Sequence, residues 1–453
     1  MIPRLFGTNG IRGIIGQEMT VDLALRMGKS IGSVFAPGPV AVGRDTRTSG
    51  PMLRDAAVAG LLATGHDVVD AGVLPTPGLQ YFVHTGTFSG GVMITASHNP
   101  AEFNGIKVVD AQGMELARPE EEGIEARYFR EDFALADWKG VGHVRFDGGA
   151  VGRYLEGILS RVDVERIRAA RPRVVVDCAN AAACGTSPAL LSRLGCEVIS
   201  LNGNPDGTFP GRPPEPVQEN LGALMREVRG SKADLGVAHD GDADRAIFVD
   251  NRGEFVFGDR SLALVAKDIV SKRGGGVVVT PVSTSRGLED VVRAAGGTVV
   301  YTKVGAPIVA RVMHERRAVF GGEENGGMIF PEHQLCRDGA MTLAKVVEIV
   351  AHARRPLSDL LAELPAYSLH KTSVRYKASE RDAILARLKS LAWGLRVEDI
   401  DGIKVHYPDG WVLVRPSGTE PIFRIFAEAP TPERAKALAD DGEALLKRAM
   451  AGA

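Results

Sequence analysis

Three aspartates at alternate positions, Asp240, Asp242 and Asp244, follow directly on the apolar run Asp234-Leu235-Gly236-Val237-Ala238. Carboxylates held that close repel one another unless a cation neutralises them, and an all-oxygen set of donors suits Mg²⁺. An EF-hand does not fit, because Arg245 stands where that loop requires glycine and Asn251 where it requires glutamate. A solvated acidic turn is the plainer reading, but a buried strand leads straight into the cluster and would carry it out of water. A second reactive group lies in Thr95-Ala96-Ser97-His98-Asn99-Pro100. The apolar strand Gly91-Val92-Met93-Ile94 precedes it, so the Ser97 hydroxyl is expected at the carboxyl end of a buried strand, where α/β folds hold ligands. The flanking glycines of the hydrolase elbow are absent. His98 is next in an extended segment, so its side chain is expected to point away from Ser97.

Two further loops offer complementary groups. Arg415-Pro416-Ser417-Gly418-Thr419-Glu420-Pro421, with Arg424 just beyond, combines guanidinium forks, hydroxyls and the amides around Gly418, which together make a phosphate seat. Gly321-Gly322-Glu323-Glu324-Asn325-Gly326-Gly327 brackets two acids and an asparagine with glycines. Such groups accept hydrogen bonds from paired hydroxyls, as on a sugar, and the glycines let backbone approach a ligand. Arg12, Lys107 and Lys303 are single cations beside glycine-rich strand ends; most such residues are solvated charges, and their neighbourhood alone singles them out. A serine, a divalent-metal site, a hydroxyl acceptor and a separate phosphate seat suit phosphoryl transfer on a phosphosugar, with Ser97 carrying the phosphoryl group. An aspartyl-phosphate phosphatase would need threonine two positions after an Asp-x-Asp pair, but Arg245 and Ala246 follow Asp244.

The elements that must position these loops recur three times. A strand, a helix closed by glycine and a second strand are predicted over 40–43, 52–64 and 68–69, then over 173–177, 188–194 and 197–200, then over 277–280, 288–295 and 299–301. Continuous β-branched runs fit parallel strands covered on both faces. After each unit a further apolar strand runs into one of the polar loops. Beyond about residue 364 short strands over 374–376, 402–406, 411–415 and 422–427 alternate with helices over 381–391 and 432–450. The expected fold is α/β: three related mixed-sheet α/β domains, at 1–147, 148–250 and 251–365, plus a smaller C-terminal α+β domain at 366–453.

Composition narrows the function classes. With 54 basic and 56 acidic side chains the formal charge is −2, which gives no basic surface for nucleic acid or an anionic membrane. No apolar run reaches the length of a membrane span. Cys178, Cys184, Cys196 and Cys336 show no Cys-x-x-Cys pairing and read as reduced thiols, so a cytoplasmic protein is expected.

Taken together, Gly7-Thr8-Asn9-Gly10-Ile11-Arg12-Gly13, Thr95 to Pro100, Asp240 to Arg245, Gly322 to Gly326 and Arg415 to Pro421 resemble the α-D-phosphohexomutases over essentially the whole chain. The resemblance implies four domains around a central cleft and a Ser97 that is phosphorylated at rest. It implies one Mg²⁺ held by Asp240, Asp242 and Asp244 beside that phosphate, with Arg12, His98, Lys107 and Arg245 lining it. Glu323 and Asn325, with Lys303 nearby, would bind sugar hydroxyls, and Arg415, Ser417, Gly418, Thr419 and Arg424 the non-reacting phosphate. A hexose 1,6-bisphosphate would be the intermediate and a phosphosugar the partner; a homo-oligomer is left open. Bacterial members usually have serine where Asn325 stands and histidine where Gly327 stands, so this Glu-Glu-Asn-Gly-Gly form is similar to archaeal members. The opening motif is similar to that of phosphoglucosamine mutases, while dual mannose and glucose enzymes look nearly the same.

Overall fold

The computed structural model describes residues 4–7, 9–392, 396–417 and 421–452, so Gly418 and Thr419 of the predicted phosphate seat lie outside the described residues. In the first sheet Val40–Arg44 lies between Val68–Val73 and Gly90–Ile94, all parallel, and Phe103–Val109 returns antiparallel beside Gly90–Ile94. The second repeats this order: Arg173–Asp177 between Glu197–Leu201 and Leu235–His239, with Ala246–Asp250 returning antiparallel. So does the third: Gly276–Pro281 between Gly297–Thr302 and Phe320–Gly322, with Met328–Phe330 returning antiparallel. The sheets are mixed, as expected, and the three polar loops are the same connection each time. Each is the turn from the third parallel strand into its antiparallel return. That turn lies at the carboxyl ends of the parallel strands, where packing leaves backbone and side chains free to meet a ligand.

The predicted helices form with small shifts. That expected over 52–64 spans Gly50–Ala63, because Pro51 suits the first turn. Those expected over 188–194 and 288–295 span Ser187–Arg193 and Arg286–Ala294; the second is capped by Ser285, whose side chain accepts from the Gly287 amide. Edge strands escaped the sequence pattern. Ile11–Ile14 and Val144–Phe146 flank the first sheet, Phe255–Val256 the second and Gln334–Arg337 the third. Phe255–Val256 extends the second sheet past residue 250, so the polar Asp250-Asn251-Arg252-Gly253 is a hairpin turn rather than a linker.

The C-terminal domain is a five-stranded antiparallel sheet in the order Ser368–Arg375, Ile422–Ala429, Gly410–Pro416, Ile403–Tyr407 and Arg396–Glu398. Helices Arg381–Leu391 and Pro432–Ala451 cover it. The three-residue strand Arg396–Glu398 has too little apolar alternation to be seen in sequence. This domain packs on the third through Val282, Trp411, Leu413 and Phe426. The Lys404 ammonium sits 4.0 Å from the Trp411 ring centre and donates to the Val282 carbonyl at 2.8 Å. Helix Gly339–Ala353 is buried along nearly its whole length and carries one continuous core through the second and third domains. Among the described residues no helix is long and apolar enough to cross a membrane.

Candidate active site

Ser97 lies three residues beyond strand Gly90–Ile94 in the left-handed backbone region, with φ of 51°. For a non-glycine residue this conformation costs on the order of 1 kcal/mol, so neighbours must impose it. They do so from below. Thr95 Oγ1 accepts the Ser97 amide at 2.9 Å and donates to Asp45 Oδ2 at 2.7 Å. Asp45 in turn binds Arg47, whose fully buried guanidinium donates to the carbonyls of Ser97 (2.9 Å), Asn99, Pro100 and Phe103 (2.7 Å). Four carbonyls on one guanidinium fix the loop.

The left-handed turn corrects one expectation. His98 does not point away from Ser97: its Nδ1 lies 3.5 Å from Ser97 Oγ, because the chain is not extended there. Burial and the nearby Arg245 and Arg12 charges push the His98 imidazole down to about 2, so it is neutral and can accept from Arg245 at 3.2 Å.

The Ser97 hydroxyl donates to Asp240 Oδ2 at 2.8 Å. Asp240, Asp242 and Asp244 all belong to the turn after strand Leu235–His239, and Ala243 (φ 54°) bends that turn so that carboxylate oxygens of the three lie within 4.8 Å of one another. A turn, rather than alternation along a strand, brings them together. Gly241 allows the two loops to touch, since a side-chain carbon there would lie 2.3 Å from the Ser97 carbonyl. Burial and the Asp244 and Asp242 charges push Asp240 up to about 7. Burial also works against the Asp242 charge, but Lys107 and Thr76 outweigh it and hold that carboxyl below its usual range. Lys107 Nζ reaches Asp242 Oδ2 at 2.6 Å and Asp244 Oδ2 at 3.4 Å. Asp242 Oδ1 and Asp244 Oδ1 are buried and have no hydrogen-bond partner among the described residues. Two orphaned carboxylate oxygens beside a third acid are the donor set of a hard divalent cation, so these residues fit Mg²⁺.

Cations converge from several elements. Arg12, on the edge strand paired with the Lys107 strand, donates to Asn99 Oδ1 at 2.8 Å. Arg245 Nε stands 3.8 Å from Asp240 and 3.7 Å from Asp244. Arg337, at the end of Gln334–Arg337, donates to Asp244 Oδ2 at 2.6 Å and to Glu323 Oε2 at 3.1 Å, linking the acidic turn to the glycine-bracketed loop. Glu323 Oε1 accepts the Gly305 amide at 3.2 Å, and Asn325 lies 3.5 Å from Glu323 Oε2. The adjacent Val304 amide donates to Asp401 Oδ2 at 3.1 Å, and the same oxygen accepts Arg415 Nε at 2.8 Å. A chain of polar contacts thus runs from the loop of Glu323 to the arginine of the C-terminal loop. Arg415 faces Arg424 directly across paired strands, and Ser417 is buried beside them. Asp401 supplies an anion to Arg415 in this facing pair. Lys303 is not drawn in: it is exposed, and its side chain makes no hydrogen bond or ion pair with the described residues.

Comparison with known proteins matches this arrangement domain by domain. Models of the phosphoglucomutase/phosphomannomutase alpha/beta/alpha domains I, II and III match residues 3–135, 152–253 and 257–367, and that of the C-terminal domain matches 372–444. The chain belongs to the phosphoglucomutase/phosphomannomutase family. A phosphoglucomutase/phosphomannomutase of Thermococcus kodakarensis is 48% identical over 99% of this chain and all of its own length. A protein of Methanopyrus kandleri named "Probable phosphoglucosamine mutase" is 45% identical over 99% of this chain and 98% of its own. The crystal structure of a phosphoglucomutase/phosphomannomutase family protein from Burkholderia thailandensis superposes with a TM-score of 0.90 at 31% identity, covering 100% of this chain and 99% of that one. As a phosphohexomutase of archaeal type, the chain is an isomerase.

The sequence reading missed Arg47, Thr76, Arg337 and Asp401. Arg47 had a signal: Gly43-Arg44-Asp45-Thr46-Arg47 is another polar burst at a parallel-strand end. Arg337 and Asp401 had none, being single charges without a neighbouring motif. Replacing Arg47 with Met would leave Asp45 buried without its cation and four carbonyls without their donor. Loss of one partner of a buried ion pair costs about 3–5 kcal/mol. A clear fall in the calorimetric unfolding temperature, with loss of mutase activity, is expected of Arg47→Met; an unchanged transition would remove this residue from the loop's support.

Proposed function

We propose that this phosphohexomutase interconverts glucosamine 6-phosphate and glucosamine 1-phosphate through a phosphoserine at Ser97 and a hexose 1,6-bisphosphate. One observation carries the phosphoserine: the Ser97 hydroxyl is 2.8 Å from a buried acid whose two companions have orphaned oxygens. The three aspartates already engage Lys107, Arg245 and Arg337. A phosphoryl group on Ser97 adds nearly two negative charges at neutral pH, which calls for one divalent cation at that point. Asp240, Asp242 and Asp244, with an oxygen on Ser97, would hold one Mg²⁺, which when bound offsets charge on the transferring group.

The chain's own residues supply the rest. A free hydroxyl of the hexose monophosphate attacks phosphorus as the bond to Ser97 Oγ breaks, and its proton ends on the freed Ser97 Oγ, giving the bisphosphate. After the sugar turns over, Ser97 Oγ attacks the other phosphate, the bond to the sugar oxygen breaks, and that oxygen takes the serine proton. Arg12, Lys107 and Arg245 stabilise the equatorial oxygens, and neutral His98 orients Arg245. Glu323 and Asn325 accept sugar hydroxyls. Arg415, Ser417, Gly418, Thr419 and Arg424 seat the phosphate that is not reacting, which both orientations of the sugar need. Glucosamine is favoured by the Gly7 to Gly13 motif and by the name of the Methanopyrus relative. The name of the Thermococcus relative favours dual glucose and mannose specificity as the second reading. A phosphosugar substrate and four free cysteines fit the cytoplasm.

Two experiments test this reading. Purified protein should contain a fraction heavier by one phosphate, absent in Ser97→Ala, and that variant should lose several orders of magnitude of turnover because the covalent route is gone; near-normal turnover would exclude Ser97 as carrier. Excess EDTA should abolish activity and Mg²⁺ restore it, and kcat/KM compared on glucosamine, glucose and mannose 6-phosphates should rank glucosamine first. Equal rates on glucose and mannose phosphates with little on glucosamine would select the dual enzyme.

A further inference from the structure

Gly327 is the last glycine of the Glu323 loop, yet it is not among the residues with positive φ, so its backbone would accept a side chain. The obstacle is spatial. A β-carbon at Gly327 would lie 2.2 Å from Arg337 Cδ and 3.0 Å from Arg337 Cγ, far inside contact distance. These are mid-chain atoms, so the arginine stem occupies the space that the missing side chain vacates. That stem brings a guanidinium only 6% exposed to Asp244 Oδ2 on one nitrogen and Glu323 Oε2 on the other. Glu323 itself is nearly buried, and among the described residues Arg337 is the cation it pairs with.

We infer that Gly327 and Arg337 form one device, in which the glycine admits the arginine and the arginine positions Glu323 to receive the sugar hydroxyls. Arg337 is thus a positioning residue for substrate selection, acting through Glu323. A buried carboxylate with no cation would protonate or turn away, and either change removes a charged acceptor from the sugar site. The planar fork of arginine spans two carboxylates from one side chain, whereas the single nitrogen of lysine is a point charge and meets one of them well. The inference rests on the sugar-binding reading of Glu323.

Calorimetric binding of glucosamine 6-phosphate to the full-length enzyme in EDTA, where no turnover occurs, separates the two. Wild type should bind. Gly327→Ala, which displaces the arginine, and Arg337→Met, which removes its charge, should each weaken binding about tenfold to hundredfold, the range for one charge-assisted hydrogen bond. Arg337→Lys should fall between, which a requirement for packing volume alone would not produce. In Mg²⁺ the same variants should raise KM and, because Arg337 also holds Asp244, lower kcat as well. The double variant should bind no more weakly than Arg337→Met alone, because no arginine remains to be displaced. Wild-type affinity in Gly327→Ala, or losses that add in the double variant, would overturn the device. A wild type that binds no hexose phosphate would overturn the role of Glu323 itself.

Discussion

Three carboxylates out of water at one point must each meet a cation, and the architecture around Ser97 follows from that demand. The cations come from different places: Lys107 from the first sheet, Arg245 from the acidic turn, Arg337 from the third sheet. Drawing the domains apart would part Lys107 and Arg337 from the carboxylates they neutralise. The proposed reacting centre is therefore also the joint between the first three domains. The apolar contacts of helix Gly339–Ala353 add to that joint but do not orient it, since apolar packing has no directional preference.

One supersecondary plan, used three times, makes such a centre possible. In each of the first three sheets the candidate site loop is the turn from the third parallel strand to its antiparallel return. The parallel strands and their helices take the burden of packing, which leaves these turns free to differ. One holds a serine in a strained conformation, one three acids, one an acceptor between glycines. The fourth domain brings a different sheet and, on two of its paired strands, two arginines face to face. Asp401 ties Arg415 to the Val304 amide, next to the amide that holds Glu323, so strand Gly410–Pro416 is registered against the third domain through hydrogen bonds.

Much of this was legible in the sequence. The repeated strands, their glycine-capped helices and the four polar loops follow from β-branched runs and clustered polar residues, which depend on neighbours in the chain. The strand Arg173–Asp177 and the helix Arg381–Leu391 form as the pattern predicts. The serine and the acidic triad stood out because no solvated turn needs that set of groups after a buried strand. Edge strands did not, since Phe255–Val256 and Arg396–Glu398 are too short to show a period and exist only because a partner strand lies alongside.

What the chain determined by itself was therefore the element order and the chemical types in each loop. The tertiary structure decided which isolated charges take part. Arg337 meets an acid 93 positions away, Arg47 a carbonyl 53 positions away, and Thr76 an aspartate 166 positions away. In sequence Arg337 and Thr76 read as ordinary polar surface residues and Arg47 only as one of a polar run, because desolvation is set by what folds over each. Even the neighbouring pair Ser97 and His98 followed this rule. Their side chains came together through a left-handed turn that Asp45, Arg47 and Thr95 impose from another strand end.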